Sequence, residues 1–263
     1  MNEDLFSLKG KVVVITGAAG LLGPQHAEAV AEKGGSPILL DLNINSVEKL
    51  THELNIQYDV NASGYAVDIT AEENVQKNCD AIFDRYGKID ILINNAANNP
   101  KVEKQASLNF TRLENFPVET WDADVSVGLT GAFLCAKYYG YAISNNPSGG
   151  VIVNISSDLG LIAPDQRLYQ KPGLPLDKQP VKPVSYTVIK TGLIGLTRYL
   201  ATYWPGKVRC NALCPGGVDT GLSKEFVNQV VNLIPMGRMA QPYENKSAIQ
   251  FLCTDAFSCV NGA

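Results

Sequence analysis

Short apolar runs alternate along the chain with longer amphipathic stretches. The runs carry Val, Ile or Leu at successive positions, which is typical of strands covered on both faces. They are Lys11–Thr16, Ser36–Asp41, Gly64–Asp68, Ile89–Asn94, Gly150–Ser156 and Lys207–Leu213. The stretches with helical periodicity are Leu21–Lys33, Ser46–Leu54, Ala71–Tyr86, Trp121–Ser144, Ser185–Tyr203 and Gln241–Thr254. Repeated strand–helix units predict an α/β fold, a doubly wound parallel sheet with helices on both faces, in a single domain over residues 1–263.

Two segments interrupt this alternation. Residues 98–117 are polar, have a proline near each end, and are expected to form a long loop. Residues 160–183 contain five prolines, which exclude a helix or a central strand for most of their length. Long loops in compact domains commonly bind or enclose ligands. We therefore expect the proline-rich insertion, residues 160–183, to cover a substrate site.

The charge balance excludes several classes of partner. A net charge of −4 and a pI near 5.3 give no attraction to nucleic acids or anionic membranes. Hydrophobic residues make up 45% of the chain, enough for a large core. The first residues, Met1–Asp4, are acidic and precede no long apolar run. No signal peptide, membrane span or membrane partner is expected, and a cytoplasmic location is predicted.

Cysteine and histidine usage gives no indication of a metal site. The six cysteines form no Cys-x-x-Cys pair and are expected to be buried free thiols. The two histidines, His26 and His52, have no second ligand type at a useful spacing and are expected on helix surfaces. We predict no bound metal.

A glycine-rich turn links the first predicted strand to the first predicted helix. Such a turn presents free N–H groups and the positive end of the helix dipole to a pyrophosphate, as in Rossmann-type folds. Gly17 would permit the tight turn, Gly20 the close approach of the backbone, and Gly23 the packing of helix on strand. The residues assigned to cofactor binding here are Gly17, Ala19, Gly20, Leu22 and Gly23.

Asp41 stands at the end of the second predicted strand. A carboxylate there can accept hydrogen bonds from both adenosine ribose hydroxyls and would repel the 2′-phosphate of NADP. Ala18, Ala19 and Leu42 supply no cation to offset that repulsion. NAD is the predicted cofactor. The alternative is that Asp41 is a helix cap or a strand-end carboxylate without a ligand.

Tyr186 and Lys190 lie four residues apart in a helix-favouring run and so share one helix face. A nearby ammonium stabilises phenolate, which predicts a lowered pKa for Tyr186 and a role in proton transfer. A second Tyr-x-x-x-Lys, Tyr203 to Lys207, is interrupted by Pro205 and a glycine, and is the weaker candidate.

As a set, these residues resemble the short-chain dehydrogenase/reductase family over essentially the whole chain. The matching segments are Thr16–Gly23, Asp68–Ile69, Asn94–Ala97, Asn154–Ser157, Tyr186–Lys190 and Asn211–Thr220. The resemblance implies that Tyr186 is the general acid/base, that Lys190 lowers its pKa and holds the nicotinamide ribose, and that Ser157 steadies the substrate oxygen. It also implies cofactor contacts by Asp68, Ile69, Asn95, Ala96, Ala97, Pro215, Gly216, Val218 and Thr220, besides Tyr186 and Lys190. The resemblance also implies that the chain forms a homodimer or a homotetramer.

The chain departs from the family pattern at four places. Gly20 followed by Leu21 resembles the glycine spacing of the extended sugar-nucleotide branch. Gly128 replaces an asparagine that the family uses in its proton relay; a glycine there would still permit a distorted helix. The proline-rich insertion lengthens the segment between Ser157 and Tyr186. Members of the family also continue beyond the position of Ala263 into a final strand.

The leading hypothesis is therefore hydride transfer between NAD and a hydroxyl or carbonyl carbon of a small polar substrate. Polar residues of the two long loops suggest a hydroxylated or anionic molecule such as a sugar derivative. They are Asn98, Asn99, Lys101, Lys104, Gln166, Arg167 and Lys171. Two alternatives stay open: a protein that binds NAD without turnover, as a sensor or partner subunit, and a sugar epimerase or dehydratase that recycles NAD internally.

Overall fold

A six-stranded parallel sheet organises the chain in the computed structural model, which describes residues 4–98 and 108–263. The strands are β1 (Val12–Thr16), β2 (Ser36–Asp41), β3 (Ser63–Ala66), β4 (Ile91–Asn94), β5 (Gly150–Ile155) and β6 (Val208–Leu213). Their order is β3-β2-β1-β4-β5-β6, and every neighbouring pair is parallel. The predicted doubly wound Rossmann-type sheet is confirmed, and its strand order reverses between β1 and β4.

Helices connect the strands and cover both faces. They are α1 (Gly23–Ala31), α2 (Ile44–Tyr58), α3 (Glu72–Tyr86), α4 (Val118–Val125), α5 (Gly131–Cys135), α6 (Tyr141–Ser144), α7 (Val184–Tyr203), α8 (Lys224–Val231) and α9 (Lys246–Cys253). All six predicted helical stretches are present with shifted ends, whereas α8 was not predicted. No helix formed by residues 4–98 or 108–263 has both the length and the apolar character needed to cross a bilayer.

The long helix predicted before β5 contains two π-helical turns. Ser126–Thr130 joins α4 to α5, and Ala136–Gly140 joins α5 to α6. Gly128 lies in the first of these turns, so the distortion that a glycine was expected to permit is observed.

Two hydrophobic layers hold the sheet between its helices. Val12 and Val14 of β1 point into one layer, and Val13 and Ile15 point into the other, because side chains alternate across a strand. All four are at least 96% buried. Each such side chain contributes about 1.5–3 kcal/mol of transfer free energy. The carboxyl ends of the strands are thus held in place by a well-packed core.

The insertion forms short 3₁₀ turns, Gln166–Tyr169 and Leu176–Lys178, as its prolines require. The buried side chain of Gln179 fixes it internally by accepting a hydrogen bond from the N–H of Lys171 and donating to the carbonyl of Leu174. Arg112 Nη1 donates to the carbonyl of Leu176 and ties the insertion to the preceding loop.

The expectations for His26 and for two cysteines were wrong. His26 is fully buried on the inner face of α1, and burial lowers its pKa to about 4, against a small opposing effect of Asn95. Cys214 is half-buried and Cys259 is exposed, although both are free thiols as expected. His52 is exposed, as predicted. Within the described ranges, no three His, Cys, Asp or Glu side chains are grouped as a metal site requires.

The last residues lie beside β6. The N–H of Gly262 donates to the carbonyl of Cys210, and the N–H of Ala212 donates to the carbonyl of Ala263. The outer edge of β6 is therefore hydrogen-bonded along part of its length.

Candidate active site

The sequence-predicted site residues follow the carboxyl ends of the strands, which meet at one edge of a parallel sheet. Ligands of open α/β sheets bind at this edge, next to the point where the strand order reverses. Here that point separates Thr16, at the end of β1, from Asn94, at the end of β4. The catalytic candidate Ser157 follows the neighbouring strand β5. The structure thus brings the cofactor loop and the catalytic candidates to the same edge.

The turn between β1 and α1 requires its glycines. Gly17 has φ +62°, and a Cβ on it would lie 2.7 Å from the Cα of Ala96. A Cβ on Gly23 would overlap the carbonyl oxygen of Gly17. The N–H of Gly20 closes the turn by donating to that same carbonyl at 3.0 Å. This cradle at the N-terminus of α1 fits a dinucleotide pyrophosphate.

Asn95 holds the cradle in place. Its side-chain Nδ2 donates to the carbonyls of Thr16 (2.9 Å) and Gly17 (3.0 Å). In return, Thr16 Oγ1 accepts from the N–H groups of Asn95 and Ala96. These bonds join the ends of β1 and β4 across the reversal point. The side-chain NH2 group of Asn95 is therefore used to hold the glycine-rich turn.

Asp41 faces the glycine-rich turn from the end of β2. Its Oδ2 accepts from the N–H of Ala19 at 3.0 Å, and its Oδ1 accepts from the N–H of Asn43 at 3.2 Å. Asn43, not Asp41, is the N-cap of α2, since its side chain accepts from the N–H of Ser46. The helix-cap alternative for Asp41 is therefore excluded. The carboxylate is held against the cradle.

Tyr186 and Lys190 both lie on α7, as predicted, while α7 ends at Tyr203 and leaves Lys207 outside it. Lys190 Nζ donates to the carbonyl of Ile155 at 2.7 Å and lies 5.8 Å from the centre of the Tyr186 ring. Burial lowers the pKa of Lys190 to about 8. The Lys190 side chain therefore joins the end of β5 to the start of α7.

Ser157 is buried beside this pair. Its Oγ donates to Asp158 Oδ1 at 2.7 Å and accepts from the N–H of Leu159. Burial raises the pKa of Tyr186, the Ser157 side chain opposes that shift, and Asp158 adds to it. The expected lowering of the Tyr186 pKa is thus wrong for this arrangement, because desolvation of the phenolate dominates.

A small cavity beside Tyr186 contains two groups that the sequence analysis missed. It is lined in part by Ala97, Asn98, Asp124, Lys182, Tyr186 and Lys190. Asp124 is 4% exposed, and its Oδ2 accepts from Ser185 Oγ at 2.6 Å. Lys182 belongs to the insertion and lies over the ring of Tyr186. The position of Asp124 was a usable signal, because it lies one helical turn before Gly128, whereas the contact of Lys182 with Tyr186 depends on the turns of the insertion.

Ile189 explains why glycine stands at position 128. A Cβ on Gly128 would lie 2.7 Å from Ile189 Cγ2. Ile189 is 5% exposed and packs with Ala132 and Leu193, so it has little room to move. No asparagine fits at position 128 unless Ile189 shifts or is replaced.

The remaining predicted cofactor residues surround the same edge. Asp68 Oδ1 accepts from the N–H and the hydroxyl of Thr70, and Ile69 is buried. The carbonyl of Pro215 accepts from the N–H of Asp158, which places the loop after β6 against the Ser157 segment. In that loop Gly216 is exposed and Val218 and Thr220 are half-buried.

Of the polar residues predicted to recognise the substrate, only some lie at the cavity. Asn98 lines the cavity, whereas Asn99, Lys101 and Lys104 lie outside the described residues. Arg167 is exposed and paired with Asp165. Lys171 is also exposed, and Gln166 accepts a hydrogen bond from the N–H of Lys182 at 2.8 Å.

Comparison with known proteins identifies the family. Residues 11–169 match the short chain dehydrogenase model, and residues 178–263 match the model described as Enoyl-(Acyl carrier protein) reductase. An NADP-dependent mannitol dehydrogenase of Alternaria alternata is 33% identical over 269 residues, covering 99% of this chain and 92% of that protein. An NAD-dependent glycerol dehydrogenase of Listeria innocua is 34% identical over 263 residues, covering 98% and 92%.

Solved structures with a similar fold support the same family. The crystal structure of NAD⁺-bound xylitol dehydrogenase superposes with a TM-score of 0.82 at 27% identity, covering 97% of this chain and 96% of that one. Matching family models over most of the chain, relatives above 30% identity and the shared fold lead to one assignment. The chain belongs to the short-chain dehydrogenase/reductase family and is a nicotinamide-dependent oxidoreductase of that family.

Proposed function

We propose that this enzyme uses NAD to interconvert a hydroxyl and a carbonyl carbon on a small polyhydroxylated substrate. The observation that carries the proposal is the grouping of Ser157, Tyr186 and Lys190 beside the glycine-rich cradle. The names of its relatives, which act on mannitol and glycerol, support the substrate class.

Asp41 supports the preference for NAD. Its carboxylate is fixed by Ala19 and Asn43 at the end of β2, where it could accept hydrogen bonds from a ribose diol and would repel a 2′-phosphate. The exposed neighbour Leu42 offers no positive charge. Bound NAD supplies the hydride acceptor or, when reduced, the hydride donor.

Tyr186, Ser157 and Lys190 have different roles in the proton transfer. Tyr186 has a raised pKa, so its phenol is neutral at pH 7 and its Oη can donate a proton to a substrate oxygen. Ser157, fixed by Asp158, can hold that oxygen in position. Lys190 stabilises negative charge on the phenol oxygen when the proton leaves. In the oxidative direction Tyr186 first loses its proton to solvent, and the phenolate, stabilised by Lys190, then accepts the proton of the substrate hydroxyl.

The direct test is steady-state turnover of purified protein with alditols and sugars of four to six carbons, followed by NADH formation. The proposal predicts net NADH from at least one of them. Binding of NADH, seen by fluorescence, without turnover on the whole panel would favour the sensor or partner-subunit alternative. A changed sugar without net NADH would favour the epimerase or dehydratase alternative. A cytoplasmic location and a homodimer or homotetramer stay predictions; light scattering after gel filtration tests the latter.

A further inference from the structure

A second ammonium group lies against the catalytic tyrosine, and the reaction described above does not use it. Lys182 Nζ is 3.7 Å from the centre of the Tyr186 ring, closer than Lys190 Nζ at 5.8 Å. Lys182, Tyr186 and Lys190 line one cavity together with Asn98. A molecule whose reacting oxygen contacts Tyr186 Oη therefore lies beside two cations.

The ammonium of Lys182 has no ion-pair partner within the described part of the chain. Among residues 4–98 and 108–263, no Asp or Glu oxygen lies within ion-pair distance of its Nζ. Arg167, in the same insertion, is paired with Asp165 at 2.6 Å. Burial lowers the pKa of Lys182 to about 8, and the more distant Asp158 opposes that shift. Lys182 is half-buried, and a partly desolvated cation without a counter-ion would be stabilised by a bound anion.

The backbone around Lys182 is fixed from both sides. The N–H of Lys182 donates to Gln166 Oε1, and the N–H of Val181 donates to Thr111 Oγ1 at 3.1 Å. Pro183 follows, is buried, and leads directly into α7. The backbone of Lys182 is therefore fixed before any ligand binds, and its ammonium rests over the Tyr186 ring, which reduces the entropy that binding must overcome.

We propose that Lys182 binds an anionic group, a carboxylate or a phosphate, carried by the same hydroxylated molecule that reacts at Tyr186. This inference rests on the proposed function and narrows its substrate class. A neutral alditol would leave the ammonium without a counter-ion, whereas an aldonate or an alditol phosphate would supply one. An anion here makes a charge-assisted hydrogen bond with Lys182 beside the reacting carbon.

The test compares matched substrates on matched variants. Each four-, five- and six-carbon alditol is paired with its own aldonate and its own terminal phosphate, and kcat/KM is measured with NAD. The wild type should prefer one anionic form over the neutral parent, and the preferred form identifies carboxylate or phosphate. Lys182→Met should lower that anionic-to-neutral ratio by about 10- to 100-fold, the size of one charged hydrogen bond. Lys178→Met, at an exposed lysine of the same insertion, should leave it unchanged.

Binding provides a readout that does not depend on turnover. Calorimetric titration of the Tyr186→Phe variant with NAD present should give a larger Kd for the anionic member when Lys182→Met is added. A wild type that prefers neutral alditols, or a Lys182→Met variant that loses activity equally on neutral and anionic members, overturns the inference. An inactive wild type that still binds anions through Lys182 refutes the proposed redox function and supports the anion site.

Discussion

Replacing Asp41 should change which nicotinamide cofactor the enzyme uses. The variant is Asp41→Ser with Leu42→Arg, which removes the carboxylate that we expect beside the adenosine ribose and adds a cation at an exposed position. Serine keeps a hydrogen-bonding oxygen on the side of the Ala19 N–H, one bond short of the place of Asp41 Oδ2. The change therefore acts on charge more than on the backbone.

The expected magnitude follows from three contributions: weaker bonds to the ribose, loss of a repulsion and attraction by the new arginine. Exchanging charged for neutral hydrogen bonds to the ribose diol costs NAD about 1–2 kcal/mol. A carboxylate and a phosphate about 4 Å apart repel by about 4 kcal/mol at an effective dielectric of 20, and solvent at this half-exposed residue reduces that to about 2 kcal/mol. Relief of that repulsion and attraction by the new arginine together favour NADP. The kcat/KM ratio of NAD to NADP should fall by about 10³-fold.

The assay measures kcat/KM for both cofactors at a saturating substrate and fixed ionic strength. Asp84→Ser, which removes an exposed carboxylate of α3, is the control and should leave the ratio at its wild-type value. A thermal melt shows whether the double variant remains folded. If the wild type already prefers NADP, or if the ratio changes by less than about threefold, then Asp41 does not select the cofactor.

Three further predictions concern packing and pH. The effects of Gly128→Ala and Ile189→Ala on the free energy of unfolding in urea should be coupled. The double variant should be about 1–2 kcal/mol more stable than the sum of the single effects predicts, because the added methyl group enters the space left by Ile189. Additive effects of the two substitutions contradict this prediction. Since the His26 pKa is about 4 when folded and 6.5 in its ordinary state, the free energy of unfolding should fall by about 3 kcal/mol between pH 6.5 and 4. Urea unfolding of the wild type and of His26→Gln at each pH measures this loss. It should be missing in His26→Gln, and an equal loss in both proteins contradicts the prediction. Gly23→Ala should weaken NADH binding at least tenfold in a fluorescence titration, because a Cβ there displaces Gly17; unchanged binding would contradict the cradle.

The sequence predicted the sheet and the cradle because local patterns determine them. Continuous apolar runs need two covering layers, and the glycines at positions 17 and 23 are required by contacts within one short turn. Asp41 was placed correctly because it ends a strand next to that turn. Helix α8 was missed although Phe226, Val227 and Val230 recur at helical spacing, because a run of eight residues with none fully buried is too short to stand out from the surrounding loop.

The details that depend on tertiary contacts were not predicted. The Tyr186 pKa depends on how much water the insertion and α7 exclude, and spacing between two residues carries no information on this. Burial of His26 depends on which face of α1 meets the sheet. Lys182 reaches Tyr186 only because the turns of the insertion return its last residues to the start of α7.

The most direct test of the central claim is kcat for Tyr186→Phe on the best substrate of the panel, compared with Tyr203→Phe. Both changes remove one phenol hydroxyl from α7, but Tyr203 is exposed at the end of the helix. Loss of the proton-transferring group should lower kcat by about 10²- to 10⁴-fold for Tyr186→Phe, with NADH binding retained, and leave Tyr203→Phe at the wild-type rate. Equal activity of the two variants would contradict the assignment of Tyr186 as the acid/base.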